Sequence, residues 1–171
     1  GEENKGWTYA KYLLTYERTN IAGVGFSMAS LEKLKLAASR TLYNGKPLIQ
    51  DPLFAARLAK VEIDLENMKT TNLRVIAAVA GGGVPGAESS MLKIKGTEIR
   101  QEILSLIRRA MGPYAVPFEE AAMHGTNTEP TVGPEEAFSA AAAYFNYRKL
   151  SIFGGSNEIQ KNIISKMILG L

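Results

Sequence analysis

Residues 51–83, DPLFAARLAKVEIDLENMKTTNLRVIAAVAGGG, contain the pattern that decides the fold class. Their apolar side chains recur at alternating steps of four and three residues, which places them in one stripe along a helix. Asp51 and Pro52 supply a helix start, because Asp is a favoured N-cap and Pro is tolerated at the first helical position. The glycines at 81–83 end the helix. The stripe consists of Phe54, Leu58, Val61, Leu65, Met68, Val75 and Val79, interrupted only by Asn72.

The segments before residue 51 have the same helical periodicity. We expect a short helical piece over residues 7–14 and a long helix over residues 17–40. A third long helix is predicted from Glu88 to about Gly112, because the apolar residues after position 88 again share one face. These are Leu92, Ile99, Ile103, Leu106 and Ala110.

Two more helices are predicted near the C-terminus. Pro134 with the acids that follow it is typical of a helix start, and the last helix is expected after residues 154–156. Almost no segment alternates with the period of a strand. The predicted fold class is therefore all-α, an up-down bundle of four to five long helices. The last helix has apolar residues on more than one side, so we expect a dimer or tetramer.

Composition narrows the possible functions. The chain has 171 residues, 46% hydrophobic and 22% charged, which suits one folded domain. A net charge of +3 without a basic run gives no indication of nucleic acid binding. The chain has no cysteine and a single histidine, His124, so no disulfide and no metal site are expected. No apolar run approaches the ~20 residues of a membrane span, and no signal peptide is evident.

Two segments have residue types suited to chemistry. Glu17 lies at or near a predicted helix start, where the helix dipole would stabilise a carboxylate. The closing turn, residues 152–158 (IFGGSNE), places two glycines before a helix N-terminus, where backbone N–H groups can bind a phosphate or a polarised carbonyl oxygen. Each has a simpler interpretation. Glu17 can be an ordinary first-turn acid, and the closing turn can be a tight turn with Ser156 as N-cap.

The chain resembles the C-terminal helical domain of the acyl-CoA dehydrogenase family in these segments. Residues 144–164 are similar to the family's closing signature, and residues 14–18 to the start of its first long helix. Residues 90–99 and 110–115 are similar to its third helix and the turn that follows. The likeness covers essentially the whole chain, which also resembles the bacterial branch with "large" subunits. The resemblance implies a bacterial cytoplasmic protein. Because the chain begins at Gly1, we expect a piece of a longer chain.

The resemblance implies an FAD-dependent oxidoreductase that desaturates acyl-CoA thioesters in fatty acid or lipid catabolism. Many family members carry the proton-abstracting carboxylate in the closing signature, where this chain has Gly154. Others carry it on the first long helix before an Arg, where this chain has Glu17 and Arg18. Glu17 is therefore the expected base, and the N–H of Gly154 the expected donor to the enolate oxygen. The resemblance also implies that substrate contacts come from Arg18, Phe153 and Gly155.

Flavin contacts are implied at Ser156, Glu158, Arg40 and Arg109. Residues 40–45 have one residue more than the family's R-x-x-F-G segment, and residues 109–113 depart from its Q-x-x-G-G turn at both ends. Complete family members also have an N-terminal helical domain and a middle β domain, both absent from residues 1–171. The isolated domain is therefore expected to be inactive. The usual electron acceptor of the family is electron-transferring flavoprotein.

Two other functions are compatible with the sequence. The chain can be part of a non-catalytic partner subunit that supports a hetero-oligomeric dehydrogenase through helix packing. It can also be a free-standing helical assembly module without chemistry. The departures in residues 40–45 and 109–113 favour the partner subunit, whereas the pairing of Glu17 with Gly154 favours the enzyme.

Overall fold

The structure, a computed structural model, describes the backbone of residues 1–171 and all side chains except those of residues 15, 16 and 18–21. The chain divides into two compact units. Unit 1 comprises Gly1–Val24, Asp64–Glu98 and Leu150–Leu171, and unit 2 comprises Gly25–Ile63 and Ile99–Lys149.

The chain is helical apart from one small hairpin among the described residues, which confirms the predicted all-α class. The long helices predicted from residues 51–83 and from Glu88 are found at almost the expected bounds. In chain order the elements are α1 (Gly6–Ile21), α2 (Val24–Arg40), β1 (Leu42–Tyr43), β2 (Lys46–Pro47), α3 (Pro52–Ala80), α4 (Ala87–Met111), α5 (Glu120–His124), α6 (Ala140–Asn146) and α7 (Asn157–Ile164). Short 3₁₀ turns cover 48–50, 112–115 and 147–151, and a π-helical turn, Ser165–Leu169, continues α7.

The predicted single helix over residues 17–40 is wrong. The helix that begins at Gly6 continues through Glu17 to Ile21, and α2 starts only at Val24. Gly23 has a φ of 59°, a left-handed conformation that ends the first helix. Glu17 therefore lies near the C-terminal end of α1 rather than at a helix start, so the expected stabilisation by an N-terminal dipole does not apply.

The break after α1 is also a point of close packing within unit 1. A Cβ atom added to Gly96 of α4 would lie 2.5 Å from the carbonyl oxygen of Ala22 and 2.8 Å from its Cα. Only a residue without a side chain allows this approach. Ala22 itself is buried.

The hairpin of β1 and β2 was not predicted. Leu42 pairs with Pro47, and Tyr43 with Lys46. Asn44 and Gly45, which connect the strands, have φ values of 51° and 76°. An Asn-Gly pair is the usual sequence of such a two-residue turn, so this dipeptide was the signal that sequence inspection missed.

The prediction that a helix starts at Pro134 is also wrong. Residues 134–139 form turns in which the N–H of Ala137 donates to the carbonyl of Pro134, and the N–H of Ala140 to that of Ala137. The helix begins at Ala140. Bonds at this i to i+3 spacing make tighter turns than an α-helix does.

The stripe predicted along α3 forms part of the core of each unit. Phe54, Leu58 and Val61 are buried in unit 2, and Leu65, Met68 and Val75 in unit 1. Asp51 caps α3 as expected, because its Oδ1 accepts a hydrogen bond from the N–H of Phe54 at 2.9 Å. The predicted face of α4 is buried as well, at Leu92, Ile99, Ile103, Leu106 and Ala110. Within the described part of the chain, no helix combines the length and the apolarity that crossing a bilayer requires.

Candidate functional site

The closing turn has the local structure that its sequence predicts. Ser156 is the N-cap of α7, and its hydroxyl oxygen accepts a hydrogen bond from the N–H of Ile159. Gly154 and Gly155 have φ values of 69° and 84°, in the left-handed region. Two successive residues in this region let the backbone bend sharply before the helix, which glycine permits at little cost.

Gln160 holds the glycine pair from inside unit 1. Its side chain is 1% exposed, and Nε2 donates a hydrogen bond of 2.9 Å to the carbonyl oxygen of Gly154. A Cβ atom at Gly155 would lie 2.6 Å from the same Nε2. Glycine is therefore favoured at position 155 for two reasons: its φ is positive, and the buried amide of Gln160 leaves no room for a Cβ atom.

Lys93 supports the turn from α4. Its side chain is fully buried, at 0% exposure, and Nζ donates a hydrogen bond of 3.0 Å to Oδ1 of Asn157, the first residue of α7. From the sequence alone, Lys93, Lys95 and Arg100 are expected on a solvated face. That interpretation is right for Lys95, which is exposed and paired with Glu98 at 3.2 Å, but wrong for Lys93.

A pattern in the sequence could have identified the burial of Lys93. Small residues occupy the positions one helical turn away on both sides, which is typical of a helix face in close contact with another segment. These neighbours, Ser89, Ser90, Gly96 and Thr97, are all buried.

The pKa values of Lys93 and Glu158 at the closing turn are both lowered, for different reasons. Burial lowers the pKa of the Lys93 ammonium, and the Glu158 carboxylate partly offsets this effect. The pKa of Glu158 is lowered chiefly by its own backbone N–H, then by the Ser156 hydroxyl, with smaller contributions from Lys161 and Lys93. Glu158 is therefore ionised at neutral pH and can act only as an acceptor.

The turn also presents groups towards solvent. Phe153 is 49% exposed, Glu158 is exposed, and Gly154, Gly155 and Ser156 are half-buried. An apolar ring beside accessible glycine backbone suits a ligand that is partly apolar and carries a carbonyl oxygen.

The two residues expected on the first helix belong to unit 1, as the closing turn does. The side chain of Glu17 is exposed. The side chain of Arg18 lies outside the residues that the structure describes. The pairing of Glu17 with Gly154 in one catalytic site thus remains a prediction.

A cleft of about 510 Å³ in unit 2 brings together Arg40 and Arg109, the two arginines expected to contact flavin. Both side chains are exposed, and Nη1 of Arg40 lies 3.9 Å from Oε1 of Glu136. The cleft extends over the hairpin and the turn that follows α4. Its lining includes Thr41, Leu42, Tyr43, Met111, Gly112, Pro113 and Tyr114.

The donors of this cleft fit the phosphate-bearing half of a dinucleotide. Guanidinium groups match phosphate oxygens in charge and geometry, and the aromatic and aliphatic lining suits a flat heterocycle. The two segments that depart from the family's flavin motifs are those that form the cleft. One of these departures, Arg109 in place of the motif's Gln, adds a positive charge to the cleft.

Comparison with known proteins gives the same assignment over nearly the whole chain. Residues 4–169 match the family model described as acyl-CoA dehydrogenase, C-terminal domain. Acyl-CoA dehydrogenase FadE26 of Mycobacterium tuberculosis is 28% identical over 177 residues, which cover 100% of this chain and 41% of that protein.

Solved structures show the same fold. The ChsE4-ChsE5 complex from Mycobacterium tuberculosis matches with a TM-score of 0.75 at 26% identity, over 100% of this chain and 42% of the matched one. The acyl-CoA dehydrogenase from Geobacillus kaustophilus matches with a TM-score of 0.77 at 24% identity, over 100% and 40%.

These likenesses define a helical domain of a dehydrogenase-type protein. The chain belongs to the acyl-CoA dehydrogenase family and corresponds to its C-terminal domain. It spans about two fifths of the length of the relatives it matches.

Proposed function

We propose that this domain completes the active site of a longer flavoprotein that desaturates acyl-CoA thioesters between the α and β carbons. The observation that carries the proposal is the glycine at position 154 of a closing turn whose backbone is fixed from inside, in a chain that has Glu17 on α1. A turn with glycine instead of an acid at position 154 requires the base to come from elsewhere. Glu17 is the acid that the family resemblance provides.

Glu17 removes the α-proton of the thioester in this proposal. A free Glu has a pKa of about 4.3, too low for an efficient base at neutral pH. The side chain is exposed in this domain. In the full-length protein the middle β domain and the acyl chain would cover it, and a desolvated carboxylate accepts a proton more readily.

The closing turn stabilises the enolate that develops on the thioester oxygen. The N–H of Gly154 donates to that oxygen, and a preorganised donor of this kind is worth about 10²–10³ in kcat. Phe153 and Gly155 contact the acyl portion, and Arg18 the CoA portion. A glycine at 154 keeps the N–H donor while it gives up the carboxylate that other members carry there.

Four residues would hold FAD, which supplies the hydride acceptor when bound. In unit 2, Arg40 and Arg109 would bind the phosphate-bearing half of a flavin dinucleotide in the cleft. In unit 1, Ser156 and Glu158 would contact a flavin at the closing turn. The positive cleft and the ionised, acceptor-only Glu158 support this division.

The rest of the assembly follows from the family. The domain alone is inactive, because the segments that hold most of the flavin lie outside residues 1–171. Electrons pass to electron-transferring flavoprotein in the bacterial cytoplasm. Large apolar side chains at the C-terminus, including Met167, Ile168 and Leu171, are 57%, 64% and 78% exposed, which suits subunit contacts in a dimer or tetramer.

The test uses the full-length protein with an acyl-CoA and an artificial electron acceptor. We expect Glu17→Gln to lower kcat by about 10²–10⁴ while the flavin content stays that of the wild type. Glu66→Gln is a matched control, since Glu66 is an exposed acid of unit 1 that pairs only with Lys69 among the described residues. Unchanged turnover of a flavin-loaded Glu17→Gln variant would remove the base assignment.

A second candidate is a non-catalytic partner subunit. The exposed apolar C-terminus and the two-subunit ChsE4-ChsE5 complex among the structural matches favour it. A purified full-length protein that carries no flavin, gains none on reconstitution and activates a second dehydrogenase subunit would establish this role.

A further inference from the structure

Lys93 is a buried charge that the proposed mechanism does not use. It has 0% exposure in the middle of α4, and its ammonium group reaches Oδ1 of Asn157 at 3.0 Å. Burial of a lysine is unfavourable unless its charge is compensated, and an apolar side chain of the same length would pack in the same space without that cost. Stability alone therefore gives little reason for a lysine at this position.

The contacts of Lys93 lead to the closing turn. Asn157 follows the N-cap Ser156 directly, and Glu158, whose carboxylate acts on the charge of Lys93, comes next. From the other side of the turn, Gln160 donates to the carbonyl oxygen of Gly154 at 2.9 Å. The buried amide of Gln160 thus fixes the turn at Gly154, and the buried ammonium of Lys93 fixes it at Asn157.

α4 is itself fastened next to Lys93. The hydroxyl of Thr97 donates to the carbonyl of Lys93 at 2.9 Å and has a second contact, at 3.3 Å, with the carbonyl of Leu150 just before the closing turn. Lys93 therefore projects from a fixed helix, so its Nζ can define the position of Asn157.

We propose that Lys93 is a positioning residue, which sets the start of α7 through Asn157 and so aims the backbone N–H of Gly154 at the reacting oxygen. The catalytic part of this inference rests on the function proposed above. Its conformational part, that Lys93 orders residues 153–158, stands on the described contacts alone.

The experiment compares Lys93→Met and Lys93→Arg in the full-length protein with Lys95→Met as the matched control. Met keeps the length of the side chain without its charge, Arg restores a cation, and Lys95 is an exposed lysine of the same helix. We expect kcat to fall about tenfold or more in Lys93→Met, which is less than the complete loss of the Gly154 N–H donor would cause. KM should stay within about twofold of the wild-type value. Lys93→Arg recovers part of the loss, and Lys95→Met has no effect.

Hydrogen exchange measures the conformational part without reference to activity. In Lys93→Met we expect amide exchange to accelerate about tenfold at Ile159 and Gln160, whose N–H groups donate to Ser156 of the turn, with unchanged protection at Ile103 and Leu106 in the core of unit 2. Uniform acceleration throughout the domain, or unchanged exchange at Ile159 and Gln160, would overturn the proposal. An equal rise in KM with constant kcat would overturn its catalytic part.

A second variant covers the case in which Lys93→Met does not fold. Asn157→Leu removes the acceptor from the half-buried side of the contact, and Asn157→Asp keeps an acceptor for Lys93. Slow turnover and fast exchange at the same two amides for Leu, but not for Asp, support the inference. Equal behaviour of the two variants opposes it. If the wild type desaturates no acyl-CoA, the proposed function fails while the exchange data still decide the role of Lys93.

Discussion

The closing turn and the cleft of unit 2 are held in opposite ways. The turn is fixed by two polar side chains with almost no exposure, Lys93 and Gln160, each bonded to one defined acceptor. The cleft presents Arg40 and Arg109 on exposed side chains, and Arg40 lies 3.9 Å from a carboxylate oxygen of Glu136. The first region is held by buried polar contacts, whereas the charged groups of the second are on exposed side chains.

This difference corresponds to the tasks proposed for the two regions. A donor that stabilises developing charge must be placed before the reaction, because reorientation during the reaction would cost part of its effect. A site that binds phosphate needs charge of the correct sign, and long arginine side chains can find the oxygens after the ligand arrives. The closing turn should therefore be sensitive to small substitutions and the cleft should tolerate larger ones.

The largest expected effect on turnover is that of Gly155→Ala in the closing turn. A side chain at a φ of 84° costs about 1–2 kcal/mol, and the added Cβ would displace Nε2 of Gln160. We expect a loss of at least that size in the free energy of unfolding and, in the full-length protein, about 10²-fold in kcat. Urea unfolding and steady-state kinetics measure the two. Gly45→Ala, in the hairpin of unit 2 with open space around it, has a positive φ as well and serves as the control.

An intermediate effect is expected at Gln160. Gln160→Leu leaves the carbonyl of Gly154 without its donor but also removes a buried Oε1 that has no partner among the described residues, so we expect a loss of about 1–2 kcal/mol in unfolding free energy. Gln160→Glu places a carboxylate against that carbonyl and should cost more, about 3 kcal/mol at neutral pH. Because burial raises the pKa of the introduced carboxyl, its protonated form can donate again, and the deficit should shrink as the pH falls. Equal deficits at acidic and neutral pH would contradict this account.

The smallest effect on stability is expected in the cleft. Arg40→Ala and Arg109→Ala each remove an exposed side chain, so the free energy of unfolding should change by less than about 0.5 kcal/mol. Flavin affinity of the full-length protein should fall about tenfold for each, measured by fluorescence titration of the apoprotein. Arg74→Ala, an exposed arginine of unit 1, is the control for nonspecific loss of positive charge. If Arg40→Ala or Arg109→Ala unfolds the domain, the cleft is as sensitive to substitution as the closing turn, and the proposed difference between them is wrong.

The sequence predicted the parts of the fold that depend on local periodicity. The stripe from Phe54 to Val75 and the face of α4 from Leu92 to Ala110 are buried as expected, because a step of three or four residues fixes which side chains share a helix face. The N-caps Asp51 and Ser156 were also predictable, since capping depends on neighbouring residues only.

Two predictions were wrong because contacts with a distant segment determine the local structure: the helix over residues 17–40 and the exposure of Lys93. The break at Gly23 belongs to a turn against which Gly96 packs, and no pattern within residues 17–40 contains that contact. Lys93 looked like a surface lysine because its partner, Asn157, lies far along the chain. Of the candidate site, the cap and the glycine bend were predictable, whereas the hydrogen bonds by which Lys93 and Gln160 hold them were not.

Two neighbouring residues of α4 contact two other segments of unit 1. Gly96, which touches the backbone of Ala22, and Lys93, which reaches Asn157, are neighbours on the same helix within unit 1. Ala22 directly follows the helix of the proposed base, and Asn157 directly follows the turn of the proposed donor. A slip of α4 by even a fraction of its pitch would disturb both attachments together. The positions of the proposed base and of the proposed donor therefore both depend on the same short stretch of α4.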